Sequence, residues 1–457
     1  MAEIKNIGDI AAGRVSKAAC ADNFSDIHPP YDHRQAIVEA DRCYFCHDAP
    51  CTIACPTSID VPLFIRQIAT GNVTGSAKTI LQANIMGGMC ARVCPTETLC
   101  EQVCVRNEGG EDKPVKIGNL QRYAVDALMA KGGHPFARAK ASGKRVAVVG
   151  AGPAGLACAH RLATHGHAVV LYEARDKPGG LNEYGIAAYK TVDGFAQAET
   201  QFILSVGGIE VKTGKALGEA ISLGDLRGEY DAVFLGLGMG AVNALGLDGE
   251  DLDGAIDAVD FIADLRQAKD PTKIPVGRRI VVIGGGMTAI DIAVQTKLLG
   301  ADEVTLVYRR GQEQMKASPY EQELAQTRGV TIRHFAQPTR LVGKGKQLEA
   351  VEFERTASDA KGKLKGTGER FMLQADMVFR AIGQKFVAAT IDGGKHGGKQ
   401  TPTLANNRIA VDSTRKTSLP DVWAGGDCID GGEDLTVAAV EDGKVAAEAI
   451  NQFLMET

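Results

Sequence analysis

The stretch Arg-Val-Ala-Val-Val-Gly-Ala-Gly-Pro-Ala-Gly, residues 145–155, decides the fold of this chain. A short apolar run with the pattern of a buried strand leads directly into a G-x-G-x-x-G turn, and a helical stretch follows to His165. A second strand from His167 ends on the acid Glu173. This order of strand, glycine turn, helix and acid is the full dinucleotide-binding fingerprint. It predicts a pyrophosphate at the helix N-terminus and ribose hydroxyls on Glu173, with an empty βαβ unit as the alternative.

The same layout recurs later in the chain. Residues 279–289 read Arg-Ile-Val-Val-Ile-Gly-Gly-Gly-Met-Thr-Ala, and a helix and a strand over 303–308 follow. Alanine at the last position is an accepted variant of the fingerprint. This second strand is followed by Arg309 and Arg310 instead of an acid. Two nucleotide motifs in one chain indicate a flavin held beside a nicotinamide.

A third signature lies near the C-terminus, where a strand ends in Gly425-Gly426-Asp427 and residues 435–440 open a helix. An acid at this point can bind a ribityl hydroxyl, and the helix N-terminus can face a flavin ring. An ordinary turn acid before a helix is the alternative for Asp427. Two further glycine turns, 235–238 and 381–383, follow predicted strands and have the form of strand exits beneath the nucleotides.

Eight of the eleven cysteines fall within residues 43–104. Disulfides suit small secreted domains, and structural zinc usually uses paired C-x2-C knuckles or histidines, so both are weaker alternatives here. A Cys-Pro step after closely spaced cysteines is typical of bacterial ferredoxins. The pattern predicts iron–sulfur ligation, with two clusters. The cysteines form two runs: Cys43, Cys46, Cys51 and Cys55, then Cys90, Cys94, Cys100 and Cys104.

The periodicity and the linkers divide the chain into domains. Apolar spacing predicts helices at 62–68 and from 117 to about 131, and the residues 132–144 have the composition of a linker. We therefore expect an α/β protein with two nested Rossmann-like dinucleotide-binding domains preceded by an α-helical iron–sulfur domain. The Lys- and Gly-rich region 341–370 and residues 392–400 are predicted to be surface loops. The predicted boundaries are 1–135 for the helical [4Fe–4S] domain, 140–275 with 386–457 for a discontinuous FAD domain, and 276–385 for the NAD(P) domain.

Composition excludes several classes of protein. Lys and Arg number 51 against 56 Asp and Glu, a formal charge of −5, which argues against a surface for duplex nucleic acid. No apolar run reaches the roughly 18 residues of a membrane span, and the polar N-terminus lacks a signal-peptide core. We expect a soluble, cytoplasmic protein without a nucleic-acid or membrane partner.

The combined motifs resemble those of the glutamate synthase small-subunit group. Within that group the chain is most similar to the flavin and iron–sulfur subunits of NAD-dependent dihydropyrimidine dehydrogenases. The resemblance runs over nearly the whole length and is carried by five stretches: Cys-Tyr-Phe-Cys-His-Asp-Ala-Pro-Cys at 43–51, Cys-Ala-Arg-Val-Cys-Pro at 90–95, Ile-Gly-Asn-Leu-Gln at 117–121, Gly-Gly-Leu-Asn-Glu-Tyr-Gly-Ile at 179–186 and Val-Tyr-Arg-Arg-Gly at 307–311.

The resemblance implies a ligand set for each cluster. Cys43, Cys46, Cys51 and Cys104 would hold one [4Fe–4S] cluster. The other would be held by Cys55, Cys94, Cys100 and Gln121, of which Gln121 is an unusual ligand. Cys90 is then left over as a buried spare, and Cys20, Cys158 and Cys428 have core or surface roles.

The motifs and the resemblance together give the candidate nucleotide ligands. For FAD these are Gly150, Gly152, Pro153, Ala154, Gly155, Glu173, Gly180, Leu181, Lys190, Gly426, Asp427, Thr436 and Val437. For NAD(P) they are Gly284, Gly285, Gly286, Met287, Thr288, Ala289, Arg309, Arg310, Lys316, Ala381 and Gly383. Lys190 stands where relatives commonly carry an arginine, which puts that flavin contact in doubt. Gln312 replaces an arginine that is common in NADPH-using small subunits.

By resemblance, the chain is the electron-input subunit of a dihydropyrimidine dehydrogenase. NADH would reduce FAD, and two [4Fe–4S] clusters would carry the electrons to an FMN-containing partner subunit that reduces uracil and thymine to their 5,6-dihydro forms. The alternative is a glutamate synthase small subunit with NADPH as donor, and a rival from another class is a non-catalytic redox sensor. The pair Arg309 and Arg310 suits a 2′-phosphate, whereas Gln312 and the nearest relatives favour NADH.

Overall fold

The computed structural model describes residues 8–107, 113–359, 362–391 and 401–456. The chain forms two compact units. The central unit contains the described residues of Met1–Ile27, Tyr184–Val192 and Ala241–Lys385. The cysteine unit contains those of His28–Glu183, Asp193–Gly240 and Phe386–Thr457.

The helices begin where capping residues or prolines permit. Asp32, Asp60 and Asn72 accept hydrogen bonds from the first turns of their helices. The α-helices are α1 Lys17–Asn23, α2 His33–Ala40, α3 Pro50–Ile53, α4 Val61–Ala69, α5 Val73–Ala83, α6 Gly87–Val93, α7 Ile117–Lys131, α8 Pro153–Thr164, α9 Leu181–Tyr184, α10 Phe195–Leu204, α11 Leu223–Glu229, α12 Ala258–Gln267, α13 Met287–Leu298, α14 Pro319–Thr327 and α15 Thr436–Glu456. In the described part of the chain, none of these helices is both long and apolar enough to cross a membrane.

Within the described residues, the strands form two parallel sheets and three antiparallel ones. They are β1 Arg145–Val149, β2 Ala168–Tyr172, β3 Ile209–Lys212, β4 Ala232–Leu235, β5 Ala241–Val242, β6 Ala255–Asp257, β7 Arg279–Gly284, β8 Glu303–Val307, β9 Val330–Arg333, β10 Ala336–Lys344, β11 Gln347–Ser358, β12 Leu364–Gln374, β13 Met377–Ala381, β14 Gln384–Lys385, β15 Leu404–Ala405, β16 Arg408–Ile409 and β17 Val422–Ala424.

The cysteine unit is built on a five-stranded parallel sheet in the order β17-β4-β1-β2-β3. Apart from the first residue of β1, every residue of β1 and β4 is buried, as expected for parallel strands covered on both faces. Helix α8 crosses from β1 to β2, and its apolar residues join those of α15 in the core. The glycine turn after β1 therefore lies at the carboxyl edge of the sheet, where nucleotides bind in this class of fold.

The helices α2 to α7 lie in the same unit, and α2, α4, α5 and α7 bury apolar residues in the same core. Phe64, Ile65 and Ile68 of α4 have no exposed surface, and Leu120 and Val125 of α7 are equally buried. The helices predicted at 62–68 and 117–131 are therefore confirmed as α4 and α7. No helix or strand forms over 132–144, as predicted for a linker.

The central unit repeats the parallel architecture. Its sheet has the order β6-β13-β7-β8-β9, with all neighbours parallel, and α13 connects β7 to β8. Residues 8–27, which the predicted boundaries assign to the helical domain, group with this unit. The predicted α/β class with two Rossmann-like sheets and a helical cysteine-rich segment is confirmed.

One prediction about the central unit is wrong. Region 341–370 is not a set of surface loops, because β10, β11 and β12 form a three-stranded antiparallel sheet across it. Val351 and Phe353 of β11 are fully buried, whereas most of β12 is exposed. One covered face is enough to stabilise an antiparallel sheet of polar and glycine-rich strands. The other predicted loop, 392–400, lies outside the described residues.

Candidate functional site

In the first glycine turn, Gly150 and Gly155 pack closely against backbone atoms, and the position of Gly152 stays open. Gly150 has φ +98°, and a Cβ atom there would collide with the backbone oxygen of Gly236. A Cβ on Gly155 would collide with the backbone oxygen of Gly150. At Gly152 the nearest atom to an added Cβ would be the Cα of Gly180, 3.8 Å away. The turn therefore packs closely on its neighbours while leaving its middle open to a ligand.

The helix that follows this turn offers an uncapped N-terminus. Helix α8 begins after Gly152, which has no side chain to accept hydrogen bonds from the first turn. Glu173 at the end of β2 is buried, and its two carboxylate oxygens accept from the N–H groups of Ala151 and Arg175, both at 2.9 Å. Free N–H groups suit a pyrophosphate, and a carboxylate fixed beside the turn suits a ribose diol. These residues fit the adenine half of FAD.

The third sequence signature lies next to this turn in the same unit. A Cβ added to Gly426 would lie 3.3 Å from the Cβ of Ala154, and Thr436 Oγ1 donates to Asn182 Oδ1 at 2.8 Å. Burial, reinforced by the charge of Asp434, raises the pKa of Asp427 to about 7. The structure thus gathers most of the proposed FAD residues in the cysteine unit: Gly150, Gly152, Pro153, Ala154, Gly155, Glu173, Gly180, Leu181, Gly426, Asp427, Thr436 and Val437.

The second glycine turn has the same construction. Gly284 has φ +153°, and a Cβ there would collide with the backbone oxygen of Ala381 at the end of β13. A Cβ on Gly285 would meet the ring of Tyr308, whereas Gly286 has nothing within 4 Å. Helix α13 begins after Gly286, again without a side-chain cap. Met287 and Thr288 are half-buried and Ala289 is fully buried, so the turn is open at its middle.

Positively charged side chains surround the exit of the next strand. Arg309 is exposed and Arg310 half-buried just beyond β8, and the described residues form no ion pair with either. Lys316 is exposed, and its N–H donates to the oxygen of Gly285 at 2.9 Å, which places it at the turn. Gly383 is also exposed, with φ +92°. Among the residues that the structure describes, no acidic side chain accepts a hydrogen bond from the second turn as Glu173 does from the first.

Lys190 is the one proposed FAD residue that lies in the central unit. Its Nζ lies 2.7 Å from Asp291 Oδ1 on α13 and 2.6 Å from Glu321 Oε1 on α14. Burial lowers the pKa of Lys190, but the two carboxylates outweigh burial and leave its pKa above the ordinary value. Tyr189 also donates to Asp291, at 3.1 Å. The structure therefore groups Lys190 with the second glycine turn, in a buried ion-pair cluster.

Four cysteines line one cavity in the helical segment. Cys43, Cys46, Cys51 and Cys104 face it together with apolar residues such as Ile65 of α4. They are the four residues that the resemblance implies for one cluster. Their thiol groups and the apolar lining fit a cysteine-ligated iron–sulfur cluster.

A second group of cysteines surrounds the end of α6. Cys94 caps this helix, and Cys55 and Cys100 are close enough to act electrostatically on its thiol. Gln121 is buried, and its Nε2 donates to the oxygen of Gly87 at 2.7 Å, so its Oε1 is the side-chain atom suited to bind a metal. Cys90 lies one turn before Cys94, buried, and its Sγ accepts from Asn84 Nδ2 at 3.1 Å. Its predicted role as a buried spare stays a prediction.

The arrangement of the cysteines bears on two alternatives from the sequence, disulfides and structural zinc. All eleven are free thiols, so the structure contains no disulfide among them. The described residues contain no group of three or more His, Cys, Asp and Glu side chains arranged to hold a single metal ion. The four thiolates of a cubane cluster bind four different irons and lie farther apart than the ligands of one ion. The remaining cysteines, Cys20, Cys158 and Cys428, are buried.

Two buried acids were missed by sequence reasoning. Glu199 lies in the middle of α10 with no exposed surface, and Asp291 lies in α13 with 4%. In the sequence, each of these residues is recognisable only as a single acid within a mostly apolar helical stretch. Both acids act through partners that are distant in the chain, so no local motif contains them.

Comparison with known proteins agrees with this architecture. The family described as dihydropyrimidine dehydrogenase domain II, 4Fe-4S cluster, matches residues 20–133, and the pyridine nucleotide-disulphide oxidoreductase family matches residues 144–443. The chain is 34% identical to the glutamate synthase [NADPH] small chain of Escherichia coli (strain K12), covering 94% of each protein. It is 35% identical to the NAD-dependent dihydropyrimidine dehydrogenase subunit PreT of the same organism, covering 94% of this chain and 97% of that one.

Solved structures show the same fold. A structure of FprA from Mycobacterium tuberculosis in complex with NADPH superposes with a TM-score of 0.57, at 22% identity, over 68% of this chain and 85% of that one. Thioredoxin reductase from T. acidophilum gives a TM-score of 0.53, at 22% identity, over 68% and 99%. The chain therefore belongs to the pyridine nucleotide-disulphide oxidoreductase family, in the group of glutamate synthase small chains and PreT subunits that carries a 4Fe-4S domain in front.

Proposed function

We propose that the chain is the electron-input subunit of an NAD-dependent dihydropyrimidine dehydrogenase. In this role it oxidises NADH and delivers electrons through two [4Fe–4S] clusters to an FMN-containing partner subunit, which reduces uracil and thymine to 5,6-dihydrouracil and 5,6-dihydrothymine. The observation that carries the proposal is the joint occurrence of two open glycine turns and a four-cysteine cavity in one chain. Relatives named as subunits of such a dehydrogenase, at 34–35% identity, support it.

The chain's own residues bind and orient, and the bound groups supply the redox chemistry. When bound, FAD exchanges a hydride with NADH and the clusters carry electrons singly. The open positions at Gly152 and Gly286 admit the two pyrophosphates, whose charge the uncapped helix N-termini of α8 and α13 stabilise. Glu173 would hold a ribose of FAD. Hydride transfer of this kind depends on orientation and does not require a titrating side chain.

The proposed ligand sets of the clusters follow the two groups of cysteines. Cys43, Cys46, Cys51 and Cys104 would hold one cluster in the cavity that they line. Cys55, Cys94, Cys100 and Gln121 would hold the other, with the Gln121 amide oriented by its hydrogen bond to Gly87. Apolar surroundings of this kind limit solvent access, which is one determinant of a cluster's potential.

A specific feature of the second turn favours the alternative function, a glutamate synthase small subunit that uses NADPH. Arg309, Arg310 and Lys316 lie at this turn without the acid that would repel a 2′-phosphate. Charge-assisted hydrogen bonds to such a phosphate contribute about 1.5–3 kcal/mol each, or roughly tenfold to a hundredfold in affinity. We nevertheless propose NADH as the donor, since Gln312 stands in place of a third arginine.

The experiment is steady-state turnover by the anaerobically purified chain. We expect NADH to reduce an artificial dye, no uracil reduction by the chain alone, and uracil reduction after the FMN subunit is added. Uracil turnover without a partner would contradict the two-subunit proposal. A kcat/KM at least tenfold higher with NADPH than with NADH would reject NADH as donor, and glutamate formation with a glutamate synthase large subunit would favour the alternative.

A further inference from the structure

The buried acid Glu199 is tied to the helix that ends in a proposed cluster ligand. Its Oε1 accepts from the N–H of Gly88 at 2.7 Å and from that of Met89 at 3.1 Å. Both donors lie in the first turn of α6, whereas Glu199 lies on α10, 110 residues or more away in sequence. A carboxyl group without access to solvent is thus held by two backbone donors of another helix.

The same turn of α6 positions the proposed ligand Gln121. Gly87 lies directly before Gly88, and its oxygen accepts from Gln121 Nε2 at 2.7 Å. A Cβ on Gly88 would approach the ring of Phe195 to 2.5 Å and Oε1 of Glu199 to 2.7 Å, so a larger residue here would have to displace these side chains. Glu199 is therefore hydrogen-bonded to the turn of α6 whose backbone orients Gln121 and leads to Cys94.

The charged side chains near Glu199 are paired with one another. Arg92 on α6 is paired with Asp126 on α7 at 2.7 Å, and Asp126 also contacts Arg122 at 3.3 Å. Burial raises the pKa of Glu199 to about 8, although the N–H groups of Met89 and Gly88 and the charge of Arg92 oppose the rise.

The histidines that pack near α10 do not ionise in this range. His134 stacks on Phe202 of α10, and His160 on α8 lies beside His134. Burial lowers the pKa of both, that of His160 to about 3, so both are neutral near pH 8. The two histidines therefore do not contribute a change of charge around that pH.

We propose that Glu199 takes up a proton when an electron reaches the cluster held by Cys55, Cys94, Cys100 and Gln121, and releases it when the electron leaves. The inference rests on the proposed function. Each NADH that is oxidised gives NAD⁺, two electrons and one proton. Where Glu199 is ionised, one electron adds one negative charge at the cluster and one proton from solvent forms an O–H bond on the Glu199 carboxylate, so the local charge is unchanged. In a buried, low-dielectric region such compensation favours reduction.

The test is the midpoint potential of this cluster as a function of pH. The holoprotein is titrated anaerobically with dithionite and mediators, and the reduced cluster is followed by electron paramagnetic resonance. In the wild type, the potential should be highest below pH 8, where Glu199 is protonated, and should fall as the pH rises through about 8. For a one-electron couple, one bound proton limits the slope to about 59 mV per tenfold change in proton concentration.

The variant Glu199→Gln keeps the shape and one acceptor oxygen but cannot ionise. Its potential should stay at the wild-type low-pH value through pH 8. Glu210→Gln, which removes an exposed acid on β3, is the matched control and should retain the wild-type fall. Glu101 lies next to Cys100 and contacts Lys116, and any pH dependence that it causes would persist in Glu199→Gln.

Two results would overturn the inference: a flat wild-type profile, or an equal fall through pH 8 in Glu199→Gln. If Glu199→Gln fails to retain iron, the inference is tested instead by the reduced-minus-oxidised infrared spectrum of the wild type. A protonated carboxyl band that appears on reduction supports the inference, and its absence refutes it. A wild type without any cluster would instead refute the proposed function.

Discussion

The two glycine turns share one backbone design and differ in the side chains that follow the next strand. In both, a first glycine with positive φ packs against a neighbouring strand exit, and a later glycine leaves space before an uncapped helix. Beside the first turn lies the buried carboxylate of Glu173, and beside the second lie the cations Arg309 and Lys316. We propose that the backbone provides a pyrophosphate site in each unit, and that the side chain at the next strand end determines which ribose the site accepts.

The largest expected effect comes from valine substitutions in the two turns. Gly150→Val would place a Cβ against the oxygen of Gly236 and hold valine at φ +98°, a conformation that costs about 1–3 kcal/mol before the collision is counted. We expect this variant to purify without FAD and to lack dye reduction. Gly286→Val has open space and φ −101°. It should retain FAD and lose NADH turnover, as flavin content and steady-state kinetics would show.

Full FAD occupancy in Gly150→Val, or loss of FAD in Gly286→Val, would contradict this division of roles between the turns.

The next effect concerns Lys190, which the sequence assigns to the flavin and the structure places in the central unit. Lys190→Met leaves Asp291 and Glu321 buried without their cation, and breaking a buried pair costs about 3–5 kcal/mol. We expect a lower urea midpoint with unchanged FAD content. Lys17→Met, which removes an exposed ion pair with Asp270, is the control and should leave the midpoint nearly unchanged.

Loss of FAD from Lys190→Met at an unchanged urea midpoint would instead support the flavin contact.

The smallest expected effect comes from replacing the positively charged residues at the second turn. Replacing both Arg309 and Arg310 with alanine removes the charges suited to a 2′-phosphate. We expect kcat/KM for NADPH to fall roughly tenfold to a hundredfold, and that for NADH to change much less. Equal losses with both nucleotides would show that these arginines do not discriminate at the ribose.

The parts of the fold that local patterns determine could be predicted from the sequence. The strands β1 and β7 and the turns after them combine apolar runs with glycines, so their positions are contained in a few adjacent residues. The cysteine cavity agrees with the ligand set implied by resemblance, whereas spacing alone would have paired Cys55 with the first three cysteines.

Features that depend on distant contacts could not be predicted. In β12, residues 365–370 are all exposed and include Lys365, Gly366 and Gly368, so the strand lacks the apolar alternation that identifies strands. The partners of Glu199 and Lys190 are each about 100 residues or more away in the chain. No pattern within a short window could identify either contact.

The most direct test of the central claim is the composition and colour of the anaerobically purified chain. We predict one FAD and about eight iron atoms, four for each of two clusters, with a flavin absorbance that NADH bleaches. A colourless chain that lacks both iron and flavin even after reconstitution would contradict the account.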